Sequence, residues 1–158
     1  QPLRDAILIE ATTSLDLMDA RVLLEPQVAA AAAERREPAD IAHLRDRVAA
    51  GRRAGDHAAC ERADDAFHQA IAEVTRNPVL IALLRHFSGT RCRSVWQREW
   101  DRTYRRVGVD AFRHVHSDQH QAIVDAIAAG DAEAARREMA GHLALVRQAI
   151  RAASSGPD

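Results

Sequence analysis

Residues 64–74 read DDAFHQAIAEV, and this stretch decides the fold class because its apolar side chains recur with the period of an amphipathic helix. Asp64 and His68 lie on the same stripe as those apolar side chains, four residues apart, so one helix points both the same way. A carboxylate and an imidazole on a core-facing stripe cost free energy unless something pairs with them. The stretch therefore predicts a buried helix that carries a polar site.

Two later segments repeat this pattern of a histidine on an apolar helical face. They are SDQHQAIVDAI at 117–127, with His120, and EMAGHLALV at 138–146, with His142. One carboxylate oxygen and three imidazole nitrogens from three helices would suit a divalent transition metal that keeps open coordination positions. Interior histidines are more often hydrogen-bonded core residues, so a metal-free bundle with mutually satisfied polar groups remains an alternative.

The rest of the chain also favours helices. Aromatic residues make up only 4% of the sequence, and no stretch alternates with the period of a strand. Ser14 is the predicted N-cap of the first helix, Asn77-Pro78 starts the fourth, and Gly130 ends the fifth. We therefore predict an all-α antiparallel bundle of six or seven helices. The expected helices cover 14–37, 41–54, 57–75, 77–106, 111–129 and 131–153, with an earlier short helix possible at 3–11.

Length and composition limit the function classes. A chain of 158 residues suits one domain, and its formal net charge of −1 lacks the basic excess of a nucleic-acid-binding domain. Two cysteines outside any CxxC pair indicate a reduced, cytoplasmic setting, and no apolar run is long enough to span a membrane. Because the chain opens on Gln1 rather than Met, we expect a fragment. Its expected parts are a lead-in from a missing N-terminal domain at 1–13, a helical domain at 14–153 and a polar tail at 154–158.

Four segments, taken in order, resemble the effector-binding FCD domain of GntR-family transcription regulators of the FadR subgroup. They are DLMDARVLLEPQVAAAAA at 16–33, DDAFHQAIAEVTRNPVL at 64–80, DQHQAIVDAIAAGDAEAA at 118–135 and MAGHL at 139–143. Each motif is degenerate, but their order and spacing are specific, and the resemblance covers about 14–150. The resemblance implies an FCD-like helical fold. It also implies that the domain senses a small molecule and dimerises.

The resemblance also implies a ligand set for a metal. Family members that bind metal use an Asp-x-x-x-His pair, a histidine in the penultimate helix and a histidine before leucine in the last helix. These positions match Asp64, His68, His120 and His142. Asp65 competes for the carboxylate role, but it lies off the apolar stripe. Zn²⁺ or Ni²⁺ would suit such an imidazole-rich site.

Three further residues are candidates for effector binding. Arg21 lies inside the apolar stripe of the first helix, and its guanidinium could hold a carboxylate with two hydrogen bonds. The alternative for Arg21 is an internal ion pair with Glu25, one turn later. Arg91 faces inward by periodicity, and His116 lies one turn before His120, where it could orient a ligand.

We therefore expect the sensing and dimerisation domain of a bacterial-type regulator rather than an enzyme. A small carboxylate metabolite would bind at or beside the metal, two copies would associate, and DNA would be contacted only through a winged helix-turn-helix domain N-terminal to Gln1. A helical-bundle metalloenzyme acting on a small carboxylate is the alternative. The sequence specifies neither the effector, the metal, the operator, the residues of the dimer interface nor the direction of the DNA response.

Overall fold

The computed structural model describes residues 13–91, 102, 105 and 107–155, and its regular structure there is entirely helical, without a strand. Three segments follow one another directly, and we call them together α5. They are the short helix Val109–Ala111, a π-helical turn at Phe112–His116 and the helix Ser117–Ala129. The prediction of an all-α bundle of six or seven helices is thus confirmed, with six helices in the part of the chain that the structure describes. The other helices are α1 (Ser14–Arg35), α2 (Pro38–Arg52), α3 (His57–Val74), α4 (Pro78–Arg91) and α6 (Ala132–Ser154).

One predicted cap was misplaced by one residue and one predicted helix start by three residues. Thr13, not Ser14, caps α1, because the Thr13 hydroxyl accepts from the Asp16 N–H at 3.1 Å and the Asp16 carboxylate accepts from the Thr13 N–H at 2.8 Å. Such a reciprocal capping box satisfies two backbone donors. Helix α2 begins at Pro38 rather than Ile41, since proline suits the first helical position, where no N–H partner is needed.

The predicted starts of α3, α4 and α6 are confirmed, whereas α5 begins at Val109 rather than Ala111. Asp56 accepts from the Ala59 N–H at 2.7 Å to cap α3, and Asp131 accepts from the Ala134 N–H at 2.9 Å to cap α6. Asn77 accepts from the Val79 N–H at 3.0 Å before α4. Helix α1 continues through Pro26, and most of the predicted extension of α4 to 106 lies outside the described residues.

Helices α1 and α6 form the most extensive pair, and they run antiparallel. Asp19 near the start of α1 pairs with Arg147 near the end of α6, while Arg36, just after α1, reaches Gly130 before α6 begins. Helix α3 packs against α2, α4 and α1, and α5 packs against α6 and α2. The apolar stripes of these helices meet in one core, which includes Met18, Leu44, Phe67, Ile71, Phe112, Ile123, Ile127, Met139 and Leu143.

The π-helical turn at Phe112–His116 was not predicted from the sequence, which indicated an ordinary helix from 111. At its end, the Ser117 hydroxyl donates to the carbonyl oxygen of Phe112 at 3.2 Å. One extra residue in a turn changes the direction of the side chains before it relative to those after it, and π-turns frequently lie at functional sites. Here the turn lies directly before the helical segment that carries His120.

Candidate metal centre

Asp64 and His68 on α3, His120 on α5 and His142 on α6 converge in the core, as their periodicity predicts. Each of the four offers one ligand atom, and these atoms all lie within 4.8 Å of one another. Asp64 Oδ1 lies 3.5 Å from His68 Nε2 and 3.3 Å from His120 Nε2, and the Nε2 atoms of His120 and His142 are 3.2 Å apart. Three separate helices therefore supply one compact donor set.

The donor set fits a divalent transition metal. Two donors that are each about 2.1 Å from one ion lie roughly 3 to 4 Å apart, which is the spacing of the pairs above. The Nε2 atom of His68 is buried and makes no hydrogen bond within the described residues. A nitrogen in that state loses hydration without compensation unless a cation, a proton donor or, when the nitrogen carries a proton, an acceptor meets it. Four protein donors would leave positions of an octahedral ion open.

The cluster is almost fully buried. None of the four residues is more than 4% exposed. The ring of Phe67 stacks on His120 with centroids 4.0 Å apart, and Phe112 meets the same imidazole edge-on at 6.4 Å. Because the surroundings are apolar, charge at this site is poorly screened and interacts strongly.

The pKa values of the three imidazoles diverge. Burial lowers the pKa of His120 to about 4 and that of His142 well below its usual value, so both are neutral at neutral pH in the metal-free protein. Burial opposes protonation of His68 as well, but the carboxylates of Glu25 and Asp64 outweigh it and raise the pKa of His68. Two neutral imidazoles beside a carboxylate are the protonation states that metal ligation requires.

Glu25 on α1 is a buried carboxylate that contacts the cluster from outside. Its Oε1 accepts from Arg21 Nε at 2.5 Å, and its Oε2 lies 2.5 Å from His68 Nδ1. The contact with His68 is not aligned along a ring N–H, so we treat it as a close ion pair rather than a well-formed hydrogen bond. Burial opposes the negative charge, but Arg21 and His68 lower the pKa of Glu25 to about 2.

Arg21 thus forms the internal ion pair that the sequence offered as the alternative to effector binding. Its guanidinium also lies 3.5 Å from Glu25 Oε2 and 3.8 Å from the sulfur of Met18, and the side chain is 2% exposed. A direct contact between Arg21 and an effector stays a prediction, and it would require Arg21 to become accessible.

Gln119 contacts the cluster and was missed from the sequence. Its Oε1 accepts from His142 Nδ1 at 2.7 Å, across from α5 to α6. The available signal was its place beside His120, at the edge of the apolar stripe, but helical periodicity cannot say which ring a flanking amide will reach.

The remaining candidates lie at or beyond the edge of the site. His116 is half-buried, its ring centroid lies 5.6 Å from that of His142, and burial lowers its pKa. His116 is therefore a neighbour of the donor set and not a member of it. Arg91 is the last residue of α4, and its side chain lies outside the described part of the chain.

Fold and site together define a helical domain whose buried Asp/His cluster could hold a metal. The sequence matches the FCD domain family over residues 16–145. The chain belongs to this family, the effector-binding domain of GntR-family transcription regulators of the FadR subgroup. The resemblance seen in the sequence is thus confirmed.

Curated relatives agree with this assignment. The chain is 34% identical over 96% of its length to an Escherichia coli (strain K12) protein described as a regulatory protein of the L-lactate dehydrogenase operon. It is 31% identical over 95% of its length to the HTH-type transcriptional regulator LutR of Bacillus subtilis (strain 168). The chain spans 57% and 68% of these two relatives. Both are described as regulators and not as enzymes, which favours the regulatory interpretation over the catalytic one.

Solved structures share the fold. Escherichia coli McbR/YncC superposes with a TM-score of 0.70 at 21% identity, covering 84% of this chain and 67% of that one. Streptococcus agalactiae GntR superposes with a TM-score of 0.65 at 23% identity, covering 85% of this chain and 57% of that one.

Within the described residues, no helix has the length and apolar character needed to cross a membrane.

Proposed function

We propose that this chain is the metal-containing sensing and dimerisation domain of a bacterial-type transcription regulator, and that its effector is a small carboxylate metabolite. The observation that carries the proposal is the convergence of Asp64, His68, His120 and His142 from three helices into one buried donor set. Binding of a metal would compensate for the cost of burying these four polar side chains in the core. The proposal that the effector is a carboxylate is supported by one relative, whose description names the L-lactate dehydrogenase operon.

Zn²⁺ or Ni²⁺ is the proposed ion, since imidazole-rich sites suit both. Asp64, His68, His120 and His142 would hold it. When bound, the ion would supply positive charge that attracts a carboxylate oxygen in a site of low dielectric constant. Arg21, His116 and Arg91 are the proposed effector contacts. Of these, His116 is next to His142 and half-buried, which suits a side chain that meets a small molecule at the edge of the donor set.

Burial links effector binding to a conformational change. Arg21 and all four donors are at most 4% exposed, so a small molecule that touches them requires neighbouring helices to separate. An effector that binds the opened arrangement more tightly shifts the population towards it. Because α1, α3, α5 and α6 all contribute to this region, the change reaches most of the domain.

The rest of the regulator is proposed from the family. A winged helix-turn-helix domain N-terminal to Gln1 would contact DNA, residues 1–13 would lead from it into the helical domain at 14–153, and 154–158 would be a polar tail. Two copies would form a homodimer in the cytoplasm, and helix shifts at their interface would change the spacing of the two DNA-binding domains.

Metal content tests the site directly. Replacing His120 and His142 by alanine should abolish stoichiometric metal in purified protein, as measured by elemental analysis, because two of four donors are lost. The matched control replaces the exposed His43 and His114, which should leave the metal content unchanged. A folded His120→Ala/His142→Ala variant that keeps a full equivalent of metal would refute the proposed site.

A thermal-shift screen tests the effector. Small 2-hydroxy acids, sugar acids, dicarboxylates and amino acids are added to metal-loaded and to chelator-treated protein. We expect at least one carboxylate to raise the melting temperature of the metal-loaded protein, and to raise it less after chelation. If none does so at millimolar concentration in either form, the proposal of a carboxylate effector fails.

A further inference from the structure

Two of the three histidines in the donor set meet an oxygen atom at the ring nitrogen that faces away from the cluster. For His68, Glu25 Oε2 from α1 lies 2.5 Å from Nδ1. For His142, Gln119 Oε1 from α5 lies 2.7 Å from Nδ1. In both rings the Nε2 atom is the one that takes part in the cluster of ligand atoms.

The position of these acceptors matters because a neutral imidazole carries its proton on one nitrogen and a lone pair on the other. An acceptor that is hydrogen-bonded to Nδ1–H, as Gln119 Oε1 is at His142, keeps the proton there and leaves the lone pair at Nε2. At His68 the Glu25 carboxylate is a close ion-pair partner of Nδ1, which favours a proton on that side of the ring. Such a partner also fixes the rotation of the ring, so that less entropy is lost when an ion binds. Gln119 thus opposes the tautomer of His142 that would present a proton to the site, and Glu25 favours the proton of His68 on Nδ1 when a metal would take its Nε2.

Glu25 is itself fixed by Arg21. The Glu25 side chain is 2% exposed, and a carboxylate so buried is costly unless both oxygens have partners. Arg21 Nε contacts Oε1 at 2.5 Å, which leaves Oε2 directed at His68. An ion pair that served only to join two turns of α1 would not need the second oxygen to contact α3.

We propose that Glu25, held by Arg21, and Gln119 are positioning residues that present Nε2 of His68 and of His142 to the metal. This inference rests on the proposed metal site and deepens it. The two positioning side chains come from α1 and α5, so helix α1 takes part in metal binding although it supplies no ligand.

Cobalt(II) titration of chelator-treated protein tests the inference, with the ligand-field absorption of bound Co²⁺ as the readout. Zn²⁺ affinity is then measured by competition with a chromophoric chelator. Glu25→Gln and Gln119→Leu should each weaken Zn²⁺ binding 10- to 100-fold, the usual effect of losing such a partner. Each should also alter the Co²⁺ spectrum, which a loss of stability alone would not do.

The chain offers matched controls. Gln121 lies two residues from Gln119 on α5 and donates to the exposed Asp125, and Glu73 is exposed on α3 near Arg85. Gln121→Leu and Glu73→Gln should bind both ions like the wild type. Gln119→Glu, which keeps an oxygen for His142 Nδ1, should retain wild-type affinity.

Unfolding is separated from positioning by circular dichroism and thermal melts in chelator. Because Glu25→Gln leaves Arg21 buried without a charged partner, Arg21→Met/Glu25→Gln provides a second variant that removes the pair together. Folded Gln119→Leu and Arg21→Met/Glu25→Gln variants with wild-type affinity and an unchanged Co²⁺ spectrum would overturn the inference and leave the metal site intact. Wild-type protein that binds no Co²⁺ or Zn²⁺ would overturn the site itself.

Discussion

His120 and His142 face each other with 3.2 Å between their Nε2 atoms, in a core where neither can be charged cheaply. Placing a second positive charge at that distance is unfavourable, and burial adds to the cost. His68 differs because Glu25 and Asp64 favour its protonated form. At the scale of single residues, the metal-free site therefore contains imidazoles whose pKa values are shifted in opposite directions.

These opposite shifts predict a pH optimum for the stability of the metal-free protein. The pKa of His120 is about 4 in the folded protein, whereas a histidine in the unfolded chain has a pKa near 6.5. Between these two pH values the unfolded protein binds more protons, so the stability of the folded protein falls as pH drops through this window. His120 alone should account for roughly 3 kcal/mol. The raised pKa of His68 affects stability above that window. Protonated His68 stabilises the folded protein, and this stabilisation is lost as pH rises through the pKa of His68 in the folded state.

Urea unfolding in chelator between pH 4 and 8 measures this dependence. The free energy of unfolding should be highest near pH 6.5, and a His120→Asn variant should lose less stability on acidification than the wild type. Equal losses in the two proteins would show that His120 does not have the lowered pKa.

At the scale of helices, the termini were the features most directly readable from sequence, because capping is a local interaction. Asp56, Asn77 and Asp131 cap the helices that follow them, and Gly130 ends α5 in a left-handed conformation with φ of 72°. The Asp131 N–H then donates to the carbonyl oxygen of Ala126 at 3.1 Å, as in a Schellman motif.

Gly130→Ala should destabilise the protein by about 1 kcal/mol or more, measured by chemical unfolding. An L-residue is strained at this φ, and its Cβ would lie 2.5 Å from the guanidinium of Arg36, which would have to move. Gly55→Ala is the control, since it meets nothing within 4 Å and has no positive φ, and it should change stability by less than about 0.5 kcal/mol. Equal effects of the two substitutions would contradict the argument.

At the scale of the whole molecule, the donor set ties α3, α5 and α6 together at one point. In the metal-free protein these contacts are imidazole–imidazole and imidazole–carboxylate pairs, with the ring of Phe67 stacked on His120. An ion that binds only the folded arrangement stabilises the whole bundle by mass action. The same ion would also constrain how far the helices can move when an effector enters.

Free Zn²⁺ at about 100 times its dissociation constant should therefore add about 2.7 kcal/mol to the free energy of unfolding. For a domain of this size we expect the melting temperature to rise by roughly 5 to 10 °C. Differential scanning fluorimetry with and without chelator measures the shift. His142→Ala should lose most of it, and a shift of the same size in that variant would indicate that the ion stabilises the protein elsewhere.

The sequence by itself determined most of the helices and caps, and the membership of Asp64, His68, His120 and His142 in apolar stripes. These features depend on the helical period and on neighbours within a few residues. Only the tertiary structure decided that Arg21 pairs with Glu25, that Glu25 reaches His68, and that Gln119 reaches His142. The period of a helix fixes which face a side chain is on. It does not fix how helices are rotated and shifted against one another, and that arrangement selects the partner of each buried polar group.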